Sequence, residues 1–186
     1  MKPILLATAA LTLPLGLQAC SSAGLSPSQE ARVADSHEMS EALKTEVSSL
    51  NHLTRLYIDA AALYKQAADI PDQKNGLKPS LLAMAKDRNA QREELQDRVT
   101  TLGGQPAEHG QALGTMHRSF TTLRTVVDND SEVAVEEVLR GERYIRDEID
   151  KAMETAMTPE TRDLLAELRT DADANIARLE GMKQAT

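Results

Sequence analysis

The chain has no tryptophan, one phenylalanine, three tyrosines and one cysteine among 186 residues. With so few aromatic side chains, a core has to be assembled from Leu, Ala, Val, Ile and Met. That composition favours closely packed helices over a sheet rich in aromatic and β-branched residues. A single cysteine excludes an intramolecular disulfide and a thiolate metal cluster. Basic clusters are missing too, and with a formal net charge of −8 the protein repels phosphate backbones, which argues against a nucleic-acid partner. No nucleotide-binding loop, catalytic triad or zinc motif occurs. Beyond Cys20 nothing approaches the roughly 18 consecutive apolar residues that a membrane span requires.

What is present begins with an export signal. Lys2 supplies a positive charge, "PILLATAALTLPLGL" an apolar run, and "LQAC" a small residue before a cysteine. The Leu17-x-Ala19-Cys20 ending resembles the lipobox of bacterial lipoproteins, which implies that residues 1–19 are removed and Cys20 is acylated. Several acyl chains, at about 0.8 kcal/mol per buried methylene, would tether the protein without spanning the bilayer. Removal of Lys2 takes the side-chain charge from −8 to −9. Ser21 and Ser22 follow, and by the same resemblance the lack of Asp there implies the outer membrane, facing the periplasm. Residues 20–37, Ser-rich and interrupted by Pro27, are expected to form a flexible spacer, leaving 38–186 as one domain.

Helical periodicity dominates that domain. Leu43, Val47, Leu50, Tyr57, Ala61, Tyr64 and Ala68 mark a first helix from about Glu38, with Leu53, Leu56 and Leu63 widening its apolar face. A second helix, with Pro79 in its first turn, carries Leu81, Ala85, Arg88, Arg92, Leu95, Val99 and Leu102 and stops at Gly103-Gly104. A long connection follows, with a short extra helix expected near Thr115. The third main helix presents Val135, Val138, Glu142, Ile145, Ile149, Ala152 and Ala156. The fourth, capped by Thr158 with Pro159 at its first position, presents Thr161, Leu165, Leu168, Ala172, Asn175, Leu179 and Met182. Short loops within each helix pair and a long one between them are the connectivity of a ferritin-like four-helix bundle with a crossover, an all-α fold.

"SLNHL", Arg88, "LGGQP", "GTMHRSF" and "RGERY" stand in the order and spacing of an uncharacterised bacterial family of ferritin-like four-helix bundles, a domain of unknown function. The chain resembles that family over residues 47–182. The resemblance implies the bundle and no activity.

Chemistry in the seams is limited to a few polar residues. Di-iron bundles use a Glu from each of two helices and a Glu-x-x-His from each of the other two. No Glu-x-x-His occurs here, and Arg88 and Arg92, which cannot ligate metal, occupy the second helix where ligands would stand. Glu142 lies mid-helix opposite them. The expectation is a buried polar layer in which Glu142 pairs with Arg88 or Arg92, completed by Asn175 and the hydroxyl of Tyr57 or Tyr64. Asp59 falls on the far side of the first helix from its seam and is not a candidate ligand, and His117 is expected to cap or pack the crossover helix. Arg140, Arg143 and Arg146, alternating with Glu136, Glu137, Asp147 and Glu148, read as a solvated, charge-paired face.

The function expected from these features is that of a lipid-anchored, non-catalytic bundle needing no cofactor and acting on an unidentified envelope protein or on a second copy of itself. The alternatives are an atypical ferritin-like metal-binding or redox protein, and a periplasmic inhibitor or protective lipoprotein on the same scaffold.

Overall fold

The computed structural model describes residues 27–70, 76–111 and 131–184, with side chains in those spans from 41 to 183. They form four helices, α1 (Pro27–Ala68), α2 (Leu77–Thr101), α3 (Ser131–Met153) and α4 (Pro159–Gln184), and among the described residues there is no strand. None of these helices is long and apolar enough to cross a membrane. Cys20, the expected helix near Thr115 and His117 lie outside the described residues.

Each helix begins and ends where local chemistry dictates. Pro27 opens α1 and Pro159 opens α4, at the position where a missing amide donor costs nothing. At the end of α2, Gly103 adopts φ +78°, its N–H bonds the Thr100 carbonyl at 2.9 Å, and the Gly104 N–H reaches back to the Val99 carbonyl at 2.9 Å. This paired C-terminal bonding requires a left-handed residue, and glycine adopts it without a Cβ penalty. The start of α1 corrects the sequence expectation: residues 27–37, read as spacer, are helical. Pro27, expected to interrupt the spacer, is the first helical residue, and Glu30, Ala31, Arg32 and Ala34 behind it are good helix formers.

Polar contacts fix the helix directions. Tyr57 lies against Arg88 while Val47 lies against Gly104, so α1 and α2 are antiparallel. Tyr64 meets Glu142 while His52 meets Glu148, so α1 and α3 are antiparallel as well. Arg98 with Thr161 and Gln91 with Asp171 set α2 against α4, and Arg169 with Asp150 and Lys183 with Glu136 set α3 against α4. In cross-section the order is therefore α1, α2, α4, α3. Helices α2 and α3 occupy opposite corners and run the same way, so the chain between them has to return along the bundle. Its described part does so beside α1: Asn51 holds Gln105 and Ala107, and Gln111 reaches His52 and Asp59.

The core is aliphatic. Leu50, Leu53, Leu56 and Leu63 of α1 close against Leu81, Leu95 and Val99 of α2, Val138, Ile145 and Ile149 of α3, and Leu165 and Leu179 of α4, all at most 2% exposed. Each such side chain contributes roughly 1.5–3 kcal/mol by leaving water. Glu46 meets Thr158 at the start of α4, which places one end of the bundle there, and residues 27–45 carry α1 past it. Leu43, assigned to the seam by periodicity, is accordingly 39% exposed. Ala156 is also exposed, because α3 stops at Met153 and the chain has already turned.

Candidate functional site: a buried polar chain across the bundle

Arg88 and Glu142 are both fully buried on opposite corners of the bundle. The guanidinium grips the carboxylate with two hydrogen bonds, Nε to Oε1 at 3.1 Å and Nη2 to Oε2. Such bidentate pairing satisfies charge and geometry together. The Tyr64 hydroxyl, from α1, donates to Glu142 Oε1. On the other side Arg88 Nη1 donates to Gln91 Oε1 at 2.5 Å, and Gln91 Nε2 donates to Asp171 Oδ2 of α4 at 2.6 Å. All four helices thus contribute to one hydrogen-bonded chain from Tyr64 to Asp171. Burial disfavours charge on Arg88, but the Glu142 carboxylate outweighs it and holds the guanidinium pKa above its ordinary value. Burial, with Glu142 beside it, pushes the Tyr64 phenol well above its usual range.

Tyr57 belongs to this layer differently. Its ring lies 4.9 Å beneath the Arg88 guanidinium, a cation–π contact of about 0.5–2 kcal/mol. Its hydroxyl is buried with no hydrogen-bond partner among the described residues. Burial pushes its pKa upward too.

Two members assigned to the layer from sequence are not in it. Arg92 is 26% exposed at its side chain and pairs with its neighbour Glu93 at 2.7 Å. One turn past Arg88, it sits rotated toward solvent, and its long stem carries the charge out of the core. Asn175 is only 9% exposed but takes no part in the hydrogen bonds of Arg88 and Glu142; it lines a cleft between α2 and α4, one turn beyond Asp171. Gln91 and Asp171 take the linking role instead. Gln91 stands three residues after Arg88, and that spacing on one helix face is the signal that could have found it.

Other polar residues also lie deeper than their sequence positions suggest. Glu46, 2% exposed, accepts from the Thr158 backbone N–H at 3.2 Å and the Thr158 hydroxyl at 2.6 Å, so a carboxylate from α1 sits at the N-terminus of α4. Arg98 donates to Thr161 and Thr158 at 2.7 and 2.5 Å beside it. Asp59, on the side of α1 away from its seam, is buried because the segment after α2 covers it; it accepts the Gln111 N–H at 3.0 Å. A Cβ on Gly110 would stand 1.9 Å from Asp59 Oδ1, so the backbone approaches this closely only at glycine. His52 joins the same segment to α3. Its Nε2 lies 2.9 Å from Glu148 and its Nδ1 3.2 Å from the Gln111 side-chain nitrogen. That nitrogen can only donate, which makes Nδ1 the acceptor and places the imidazole proton on Nε2. Of the expected solvated face, Arg143 and Arg146 fit, pairing with Glu180 and Asp147, whereas Glu137 is 3% exposed beneath Arg140 and Glu148 is half-buried.

Chemically, the interior arrangement is closed. Both Glu142 oxygens and three Arg88 nitrogens are engaged, and among the described residues no three His, Cys, Asp or Glu side chains are grouped to hold a metal ion. No curated protein matches the chain. A family model matches residues 45–155, covering α1 from Thr45, α2, the connection and α3, and with them Tyr57, Tyr64, Arg88, Gln91 and Glu142. The chain belongs to that family, described as Domain of unknown function (DUF2383).

Proposed function

We propose that this protein is a lipid-anchored component of the bacterial envelope, held at the outer membrane through Cys20, whose ferritin-like bundle faces the periplasm and works through protein contacts rather than catalysis. The observation that carries the non-catalytic part is the Arg88–Glu142 pair. Where a ferritin-like metal centre would need free carboxylates, the central carboxylate is spent on a guanidinium. The helix order, with two antiparallel hairpins joined by a connection whose described part, up to Gln111, runs back beside α1, supports the ferritin-like assignment. The tether rests on the Leu17–Cys20 sequence. It is supported by α1, whose residues 27–45 continue past the bundle for about 28 Å at 1.5 Å per residue and would stand the domain off a lipid surface.

Fractionation of cells expressing wild type and Cys20→Ser tests the tether: the wild type should sediment with membranes and the variant should not. Membrane association of a normally cleaved Cys20→Ser protein would refute it. Elemental analysis of the purified protein tests the bundle. Stoichiometric iron, manganese or zinc would replace this reading with the redox alternative.

A further inference from the structure

A groove of about 230 Å³ lies between α3 and α4, lined by Glu136, Leu139, Arg140, Arg143 and Lys183. Three cations against one carboxylate give its lining a charge of +2, in a chain whose formal net charge is −8. Charged helix faces are usually just solvated, so this charge alone means little. Glu137 is the independent observation. It is 3% exposed, and both its oxygens accept from Arg140 Nη1, at 2.7 and 2.6 Å. A carboxylate below the surface therefore fixes Arg140 from beneath, while the arginine itself stays half-exposed at the groove. Its Nε and Nη2 bond no described residue. A guanidinium already held by one nitrogen loses little further freedom when an anion meets the other two. The other two cations have exposed partners. Arg143 pairs with Glu180 and Lys183 with Glu136, with all four side chains 40% to 51% exposed. Exposed pairs of this kind contribute little, so a more strongly charged anion displaces the carboxylates.

Charge selects the ligand class. A phosphate monoester carries about −1.5 to −2 charges at pH 7 and three strong acceptor oxygens, which matches a lining of +2 with three cationic donors. A carboxylate brings one charge and two oxygens. Leu139 is the one apolar residue of the lining and is 5% exposed, so hydrocarbon finds little to cover and recognition falls to the charged group. We propose that the α3–α4 groove binds a phosphate monoester, with Arg140 Nε and Nη2 and the Arg143 guanidinium donating to its oxygens and Lys183 as the third cation. Glu136 and Lys183 stand at the end of the bundle away from Glu46 and Thr158, so the groove is open to a soluble ester whether or not the chain is tethered.

Isothermal titration of the full-length, detergent-solubilised chain with glycerol 3-phosphate at low salt tests this. Saturable binding is expected, weakened about tenfold or more by Arg140→Gln and by Arg143→Gln, the scale of one lost charge-assisted hydrogen bond. Arg146→Gln, on the same helix but paired with Asp147 outside the groove, should bind as the wild type does. Circular dichroism checks that each variant folds. Arg140→Gln leaves the buried Glu137 without its partner, so Arg143→Gln, at an exposed pair, decides the question if Arg140→Gln does not fold. Dihexanoyl phosphatidic acid carries the same group on a lipid. Binding equal to that of the glycerol ester identifies a soluble ligand and tighter binding a lipid headgroup, and either supports the site. No saturable heat, equal affinity in the wild type and both groove variants, or acetate binding as tightly as the phosphate ester would each overturn the proposal.

Discussion

Arg88 and Glu142 stand on helices that do not adjoin, yet their bidentate pair is fully buried and joins α2 to α3 through the bundle axis. Two charges in a dry interior pay for desolvation with their mutual attraction and roughly break even, so the pair is better regarded as a register pin than as a source of stability. Leu and Ala seams alone would tolerate sliding by a turn; a fork meeting a carboxylate does not.

The first prediction follows from that pair. Glu142→Leu should strand the guanidinium and destabilise the fold by about 3–5 kcal/mol in urea melts. Adding Arg88→Met should recover much of the loss, because the uncompensated charge goes with it. Arg92→Met, at a position facing solvent, should change stability by no more than about 0.5 kcal/mol and rescue nothing. Equal rescue by both arginine substitutions would contradict the pairing.

The two core tyrosines should respond in opposite ways to loss of the hydroxyl. Tyr64→Phe removes a donor to a buried carboxylate and should cost about 1.5–3 kcal/mol. Tyr57→Phe deletes a buried hydroxyl without a partner among the described residues and should be neutral or stabilising. Chemical denaturation of both variants, with matched losses, would show that Tyr57 has a partner after all.

Alkaline titration offers a spectroscopic test. Tyr57 and Tyr64 have pKa values raised above the ordinary 10 by burial, so the folded state keeps phenolic protons that the unfolded state releases. Their contribution is fully present below pH 10 and lost as pH rises toward the raised folded values. In a Tyr144→Phe background only these two remain, and tyrosinate absorbance should appear together with loss of helicity. Absorbance rising near pH 10 in a fully helical protein would argue against their burial.

At the acid end Glu148 is the group to follow. Partial burial opposes its ionisation, but hydrogen bonds from Lys151 and His52 outweigh this and hold its carboxyl below the ordinary 4.5. Its folded pKa is depressed, so the stabilisation is present above pH 4.5 and disappears as pH falls through the lower folded value. Urea midpoints of wild type and Glu148→Gln should therefore differ at neutral pH and converge under acid. A gap that stays constant through that range would mean the carboxylate charge plays no part.

Helix existence, the end of α2, the start of α4 and the presence of charge in the seams were legible in one dimension. Periodicity, Pro159 at the start of α4 and the glycines after α2 act within a turn or two of chain, so they do not depend on what packs nearby, whereas Pro27 in a Ser-rich stretch reads equally as a break or a helix start. The same holds for Arg88 and Glu142, each flanked by apolar residues at helical spacing. Which arginine pairs was a tertiary matter. Arg88 and Arg92 differ by about 40° of rotation at 3.6 residues per turn, and only the position of the diagonal helix decides which one faces the axis. Tyr64 rather than Tyr57 reaches Glu142, Gln91 and Asp171 rather than Asn175 extend the chain, and Asp59 is covered by the segment following α2. Each of these depends on where a second, sequence-distant element comes to lie, a relation that no local spacing encodes.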